Sequence, residues 1–388
     1  MFSVLLAVIY VAFISLGLPD TILGAAWPVM IEEFEAPLSY AGVVSMIIAF
    51  GTIVSSLLSD QLTRRLGAGM VTALSVLTTA LALFGFATVP SFWMLCVVAV
   101  PYGLGAGAVD AALNNYVALH YASRHMSWLH CFWGVGATVG PYIMGWAIGA
   151  QHGWRIGYGT IAAFQILLTA VLFFSLPLWK KRPTAADGSG EVEEASIGLR
   201  QAVKIRGVKA MLFAFFGYCS FETTAGLWAS SYLVEYRGVD PETAATFAAL
   251  FYLGITLGRF ISGFVADRFG DKNMIRIGVA VMATGLVLIA LPVPTTFFAL
   301  IGLVILGVGG APVYPAIIHS TPAHFGAENS HAIVGIQMAS AYCGSTFMPP
   351  VFGLLAQYVH MATYPFYMAL FVFLLWWMTE RVNRMCDA

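Results

Sequence analysis

The sequence predicts an all-α membrane protein with twelve transmembrane helices in two pseudo-symmetric six-helix bundles. Three observations carry this reading. First, 60% of the 388 residues are hydrophobic and only 10% charged, with a mean hydropathy of +0.84, whereas soluble domains carry about 25% charge. Second, twelve apolar runs are each long enough to cross the hydrocarbon core as a helix, which takes about 20 residues. Third, short patterns recur 207 or 208 residues apart, the mark of an internal duplication.

The first six runs cover residues 4–31, 38–59, 69–88, 92–118, 128–150 and 156–178. The second six cover 208–233, 243–265, 274–292, 295–318, 331–356 and 362–380. Residues 1–178 and 208–388 therefore form the two bundles, joined by a polar linker at 179–207. That linker holds Lys180-Lys181-Arg182-Pro183, Asp187-Gly188-Ser189-Gly190, Glu191, Glu193 and Glu194, too little apolar surface to fold alone. Asp60 with its neighbours recurs at Asp267, Gly51 at Gly258 and Pro141 at Pro349. The first run lacks a basic leader and a small-residue cleavage site, and reads as a retained anchor helix. Sixteen of the eighteen Lys and Arg, Arg259 among them, fall on one side; Arg155 and Arg237 fall opposite. This bias puts both termini and the linker in the cytoplasm, here of a bacterial inner membrane.

Run 1 carries Asp20 after Gly17 and Pro19. Proline removes a backbone donor, and freed carbonyls are tolerated at membrane depth only beside protein, water or a ligand. A helix break at Asp20 follows. A carboxylate there costs at least about 2.5–3.5 kcal/mol, so intramembrane acids default to functional roles. Glu222 opens a similar stretch in run 7: Glu222-Thr223-Thr224-Ala225-Gly226 against Asp20-Thr21-Ile22-Leu23-Gly24. In run 4, Asp110 and Asn114 share a helix face, with Asn115 alongside. An acid and an amide can accept from and donate to a solute hydroxyl, or clasp a neighbouring helix. His130 and Trp133 lie early in run 5, where a histidine relays protons or packs. Trp228 and Tyr232 stack on a solute or sit in the interfacial belt. Tyr314, His319 and Gln337 add polar groups to runs 10 and 11 and the loop between them.

Taken together, these features resemble the major facilitator superfamily. Its loop signature, G-x-x-x-D-R-x-G-R-[RK], has a degraded copy at Ser56–Arg65, which keeps Asp60, Arg64 and Arg65 but neither glycine. A better copy runs from Gly263 to Lys272 and includes Asp267 and Arg268. The resemblance implies that these five charged residues gate the cytoplasmic side; a basic loop obeying the positive-inside bias is the plainer account. Asp20, the stretch Val109-Asp110-Ala111-Ala112-Leu113-Asn114-Asn115, the Leu129–Ala137 stretch and the Glu222…Trp228…Leu233 pattern resemble the fucose/galactose/glucose proton symporter group. Gly136–Gly145 is similar to a signature of proton–drug antiporters, and is equally a close helix contact with a proline bend.

The implied function is secondary active transport of a small polar solute, a sugar, by proton-coupled symport with alternating access. Asp20, Asp110 and Glu222 would couple protons. Asp20, Asn114, Asn115, His130, Trp133, Glu222, Trp228, Tyr314 and Gln337 would bind the solute. Two alternatives stay open: proton-coupled export of amphiphiles, and a non-transporting sensor. Sodium suits the same carboxylates. The chain reads as a monomer in the lipid bilayer, with no cofactor, metal or nucleic-acid partner and no enzymatic role. No phosphate-binding loop, zinc spacing or nucleophile elbow appears, and the five cysteines have no metal or disulfide spacing.

Overall fold

Side chains along the chain alternate between long apolar stretches and short glycine- or proline-marked turns, and the backbone follows that punctuation. The computed structural model describes residues 4–36, 40–149, 153–179, 198–239, 241–293 and 295–386. The charged linker stretch from Lys180 to Glu194 lies outside the described residues. Among the described residues there is helix and no strand.

In chain order the helices are α1 (Val4–Asp20), α2 (Ile22–Phe34), α3 (Tyr40–Leu66), α4 (Ala68–Thr88), α5 (Phe92–His120), α6 (Ser123–Gly149) and α7 (Trp154–Ser175). There follow α8 (Leu199–Ala202), α9 (Val208–Glu235), α10 (Pro241–Ala290), α11 (Phe297–Gly310), α12 (Val313–His319), α13 (Thr321–Phe325), α14 (Ala327–Tyr358) and α15 (Tyr364–Cys386). Eight helical stretches among the described residues are long and apolar enough to cross a membrane by length and composition alone. Helices α6, α9 and α14 have 27, 28 and 32 residues.

Three departures from straight helices follow from sequence. Run 1 is divided at Thr21, between α1 and α2, directly after Pro19 and Asp20. The run expected at 295–318 is divided at Ala311-Pro312 between α11 and α12, where proline withholds its amide. The eighth and ninth runs are continuous but for Gly270. Gly270 takes φ 73° and ψ 158°, a region open essentially to glycine alone. Gly67, between α3 and α4, takes φ 80° and ψ 152°. The first loop copy therefore does have its turn glycine, displaced. It stands seven residues after Asp60, where Gly270 stands three after Asp267. That spacing explains why the Ser56–Arg65 stretch reads as degraded.

The chain clusters into two compact units. One holds residues up to His120 and Leu129–Ser196; the other holds Tyr121–Trp128 and Ile197–Ala388. In the first unit the core is an apolar cluster around Trp27, Phe86, Phe92, Tyr102, Trp154 and Tyr158. The polar edge of this unit is tied by Glu33, which accepts hydrogen bonds from Trp154 Nε1 at 2.7 Å and from Arg155. Partial burial raises the Glu33 pKa, but the Arg155 and Trp154 donors outweigh it and hold the carboxyl below its usual range.

The tightest approach in this unit lies between α1 and α6. A Cβ on Gly136 would stand 2.1 Å from the Ile14 carbonyl oxygen, and one on Gly140 would stand 2.1 Å from that of Leu18. From the other side, a Cβ on Gly17 would meet the Trp133 carbonyl oxygen at 2.2 Å. Three glycines thus let two backbones touch, in the manner of small-residue seams between membrane helices. The antiporter-like glycine pattern of run 5 accounts for itself here as helix packing.

Gly136→Leu should force the two helices apart and lower stability by at least about 1–3 kcal/mol. Thermal unfolding in detergent checks this; a melting temperature equal to that of the wild type contradicts the seam.

Candidate functional site

The seam fixes what lies around Asp20. Asp20 ends α1, and Thr21 Oγ1 donates to the Ala137 carbonyl at 2.8 Å, pinning the break to α6. Trp133, one turn before Ala137, donates Nε1–H to Asp20 Oδ2 at 2.9 Å. The Tyr102 hydroxyl of α5 stands 3.5 Å from Asp20 Oδ1. Both donors are neutral. Asp20 itself is exposed, on an open face of the first unit, whereas Tyr102 is buried. Among the described residues, an acid in this setting has hydrogen-bond donors, an exposed side and no cation against it. It can change charge without stranding a counter-ion.

Asp110 lies within electrostatic reach of Asp20 but is buried. Its Oδ1 accepts from Asn114 Nδ2 at 2.8 Å, and Asn114 Oδ1 faces His130 Nε2 at 2.9 Å. With Asn114 Oδ1 as acceptor, His130 is the donor, and His130–Asn114–Asp110 is a hydrogen-bonded relay inside the unit. The Phe13 ring stands edge-on to His130 at 5.4 Å. Asn115 is buried next to this relay in sequence.

In the second unit Glu222 is differently placed. Helix α9 runs through it unbroken, because no proline precedes it. Arg259 of α10 donates Nη2–H to Glu222 Oε1 at 2.8 Å. The guanidinium also lies 3.5 Å from the Tyr218 hydroxyl and 5.8 Å from the Tyr314 ring centroid. Side-chain exposure is 4% for Arg259 and 18% for Glu222. The charge bias groups Arg259 with the cytoplasmic cations, but its guanidinium is buried within α10. The signal was present, since residue 259 falls inside the run 243–265. A buried arginine without a carboxylate partner would be costly, and Glu222 supplies one.

The other expected solute ligands of this unit are taken up by neighbours. Trp228 Nε1 donates to the Pro349 carbonyl at 3.0 Å. Gln337 is fully buried, and its Oε1 accepts from Thr321 at 3.0 Å. The Tyr314 hydroxyl lies 3.5 Å from Met338 Sδ. Tyr232 is buried, stacked on Tyr364 at 4.8 Å, and donates to the Ile289 carbonyl at 3.1 Å. Among the described residues, no group of three or more His, Cys, Asp or Glu side chains could hold a metal ion.

Comparison with known proteins agrees with this architecture. The family model "Major Facilitator Superfamily" matches residues 9–228 and 210–382. The chain belongs to the major facilitator superfamily. It is similar to bypass of stop codon protein 6 of Saccharomyces cerevisiae, at 26% identity over 289 residues, covering 68% of this chain and 57% of that protein. Its fold is similar to that of the major facilitator transporter FucP in the outward conformation. The TM-score is 0.81 at 16% identity, covering 97% of this chain and 98% of that one. It is also similar to that of the proton:xylose symporter XylE, with a TM-score of 0.75 at 14% identity, covering 97% and 94%. The chain is an integral membrane protein with the twelve-helix all-α fold of the superfamily, and it spans less than two thirds of the length of the first curated relatives it matches.

The two loop signatures of the superfamily fold differently here. Asp60, buried in α3, accepts from Arg64 Nε at 2.9 Å within its own helix, while Arg65 is exposed. Asp267 is exposed and bridges Arg124 Nε at 2.5 Å; it also accepts from the Arg124 backbone amide at 3.1 Å, at the start of α6. Arg268 is exposed. The segment Tyr121–Trp128 that Asp267 holds belongs to the same unit as Asp267 itself.

Arg259→Leu leaves Glu222 as a partly buried carboxylate without its cation and should cost about 3–5 kcal/mol. Glu222→Gln added to it should recover most of that loss. Thermal unfolding of the single and double variants checks the pair, and a double variant no more stable than Arg259→Leu contradicts it.

Proposed function

We propose that this protein moves a small polar solute, a sugar, across the bilayer together with protons, by alternating access. The observation that supports this most is Asp20: an exposed acid at a helix break, held by the indole of Trp133 and the hydroxyl of Tyr102, with no cation partner among the described residues. Such a group can be neutralised from one side and recharged from the other, the requirement for coupling a proton to a conformational cycle.

Its neighbours fit a hydroxyl-rich ligand. The Trp133 ring offers an apolar face, and the Asp20 oxygens accept hydrogen bonds from hydroxyl groups. Asp110, Asn114, Asn115 and His130 back this site as a second layer, with Asp110 biasing the charge on Asp20 by its own. Glu222 is assigned a fixed negative charge, paired with Arg259, and a ligand role through the part of it left open. Trp228, Tyr314 and Gln337 shape the wall around it. The solute class also rests on the kinship of fold with FucP and a proton:xylose symporter. The gating role belongs to Asp60 with Arg64 and Arg65, and to Asp267 with Arg268, as expected from the loop signatures. A bacterial inner-membrane setting with both termini cytoplasmic, protons in preference to sodium, and a monomeric state complete the proposal.

Asp20→Asn should abolish uptake driven by a pH gradient in proteoliposomes while leaving counterflow exchange of the same sugar. The assay runs both modes on one preparation, with a panel of hexoses and pentoses. Undiminished proton-driven accumulation by the variant would remove Asp20 from the coupling role.

A further inference from the structure

His319 ends α12. Its Nδ1 stands 2.6 Å from Asp271 Oδ2, and its Nε2 stands 3.1 Å from the Tyr121 carbonyl oxygen. A carbonyl oxygen and an ionised carboxylate are both acceptors only. A neutral imidazole has one N–H and can serve one of them; both contacts at once need a second hydrogen. The 2.6 Å separation is that of a charge-assisted bond. Both contacts together therefore take one hydrogen more than a neutral histidine beside a carboxylate provides.

The surroundings give that proton a task. Asp271 follows the Gly270 kink directly, so its carboxylate sits at the turn of α10. Its other oxygen accepts from Ser123 Oγ at 2.6 Å. Asp267, on the other side of the kink, is bridged to Arg124. The charged groups acting on His319 are Asp271 first and Asp267 after it. His125, one residue on from Arg124, is influenced by Arg124 and Asp267. Trp128 closes the same segment: Nε1 donates to the Phe260 carbonyl at 3.2 Å, and its indole leaves no room for a Cβ on Gly263. Tyr121–Trp128 is thus fastened at Tyr121, Ser123, Arg124 and Trp128. Two of the four ties, those at Tyr121 and Ser123, converge on the His319–Asp271 pair.

We propose that His319 and Asp271 form a proton-binding site whose proton holds Tyr121–Trp128 docked against the rest of the second unit. The sign follows from counting hydrogens. Below the ordinary imidazole range, about pH 6.5, both acceptors are served and the segment is held. As pH rises and the imidazole gives up its second hydrogen, the Tyr121 or the Asp271 contact is lost and the segment loosens. At the position of Asp271 the superfamily signature has arginine, so this chain has an acid that needs a donor where the pattern has a permanent cation. The inference is independent of which solute is carried and of whether Asp20 couples protons.

Hydrogen–deuterium exchange on the whole protein in lipid nanodiscs tests it, read at the backbone amides of 121–128 and corrected for intrinsic exchange. In the wild type, protection should fall at least about fivefold between pH 5.5 and pH 8, within the tenfold per pH unit that one linked proton allows. His319→Gln has no titratable group and should remove the pH dependence, leaving the segment loose throughout. His319→Arg keeps a permanent multiple donor and should leave it docked at both pH values. Should His319→Gln not fold, Asp271→Asn replaces it with the same expectation of a lost pH dependence. Wild-type protection that does not change with pH overturns the proposal. So does a variant without His319 that keeps the wild-type profile.

Discussion

A carboxylate inside a membrane must find donors where water is scarce, and in this protein the donors are delivered by backbone contact. Asp20 receives the Trp133 indole because α1 and α6 touch along Gly17, Gly136 and Gly140. Small side chains let the axes close, and close axes bring an indole one turn away within 2.9 Å of the acid. The break at Thr21 serves the same end: it turns the chain just after the carboxylate and is pinned to α6 through the Ala137 carbonyl. Chemistry at Asp20 therefore depends on packing made several residues away.

The two units share a pattern and use it for different chemistry. Pro19 stops α1 beside Asp20, while α9 carries Glu222 through without interruption. Asp20 meets neutral donors; Glu222 meets the Arg259 guanidinium. An acid with neutral partners can gain or lose its charge with little rearrangement. An acid facing a sealed arginine cannot lose its charge without leaving that arginine unpaired. The repeated pattern thus carries an acid between neutral donors in one unit and an ion pair in the other.

Much of this was legible in the residues. The apolar runs gave the helices, because hydrocarbon thickness sets their length and leaves the backbone little choice. The Gly17-x-Pro19-Asp20 sequence announced the break. Arg259 was legible too, but counting cations by side hides an arginine that lies inside a run and not at its edge. Trp228 and Gln337 could not be placed from sequence, because polar atoms on a helix bond to whichever neighbour tertiary packing supplies, here Pro349 and Thr321. The partners of His319 are 48 and 198 residues away along the chain, a distance no local pattern spans.

The paired loops illustrate how register decides what a motif does. Gly67 and Gly270 adopt nearly the same backbone angles, so both loops turn alike. The acid before the turn sits four residues further back in the first copy than in the second, about 6 Å along a helix. That shift draws Asp60 into α3, where it is buried and takes Arg64 from its own next turn. In the second copy Asp267 and Asp271 flank the turn itself, exposed enough to reach Arg124, Ser123 and His319. The same signature thus braces one helix from within and, one helical turn displaced, grips a separate segment of chain.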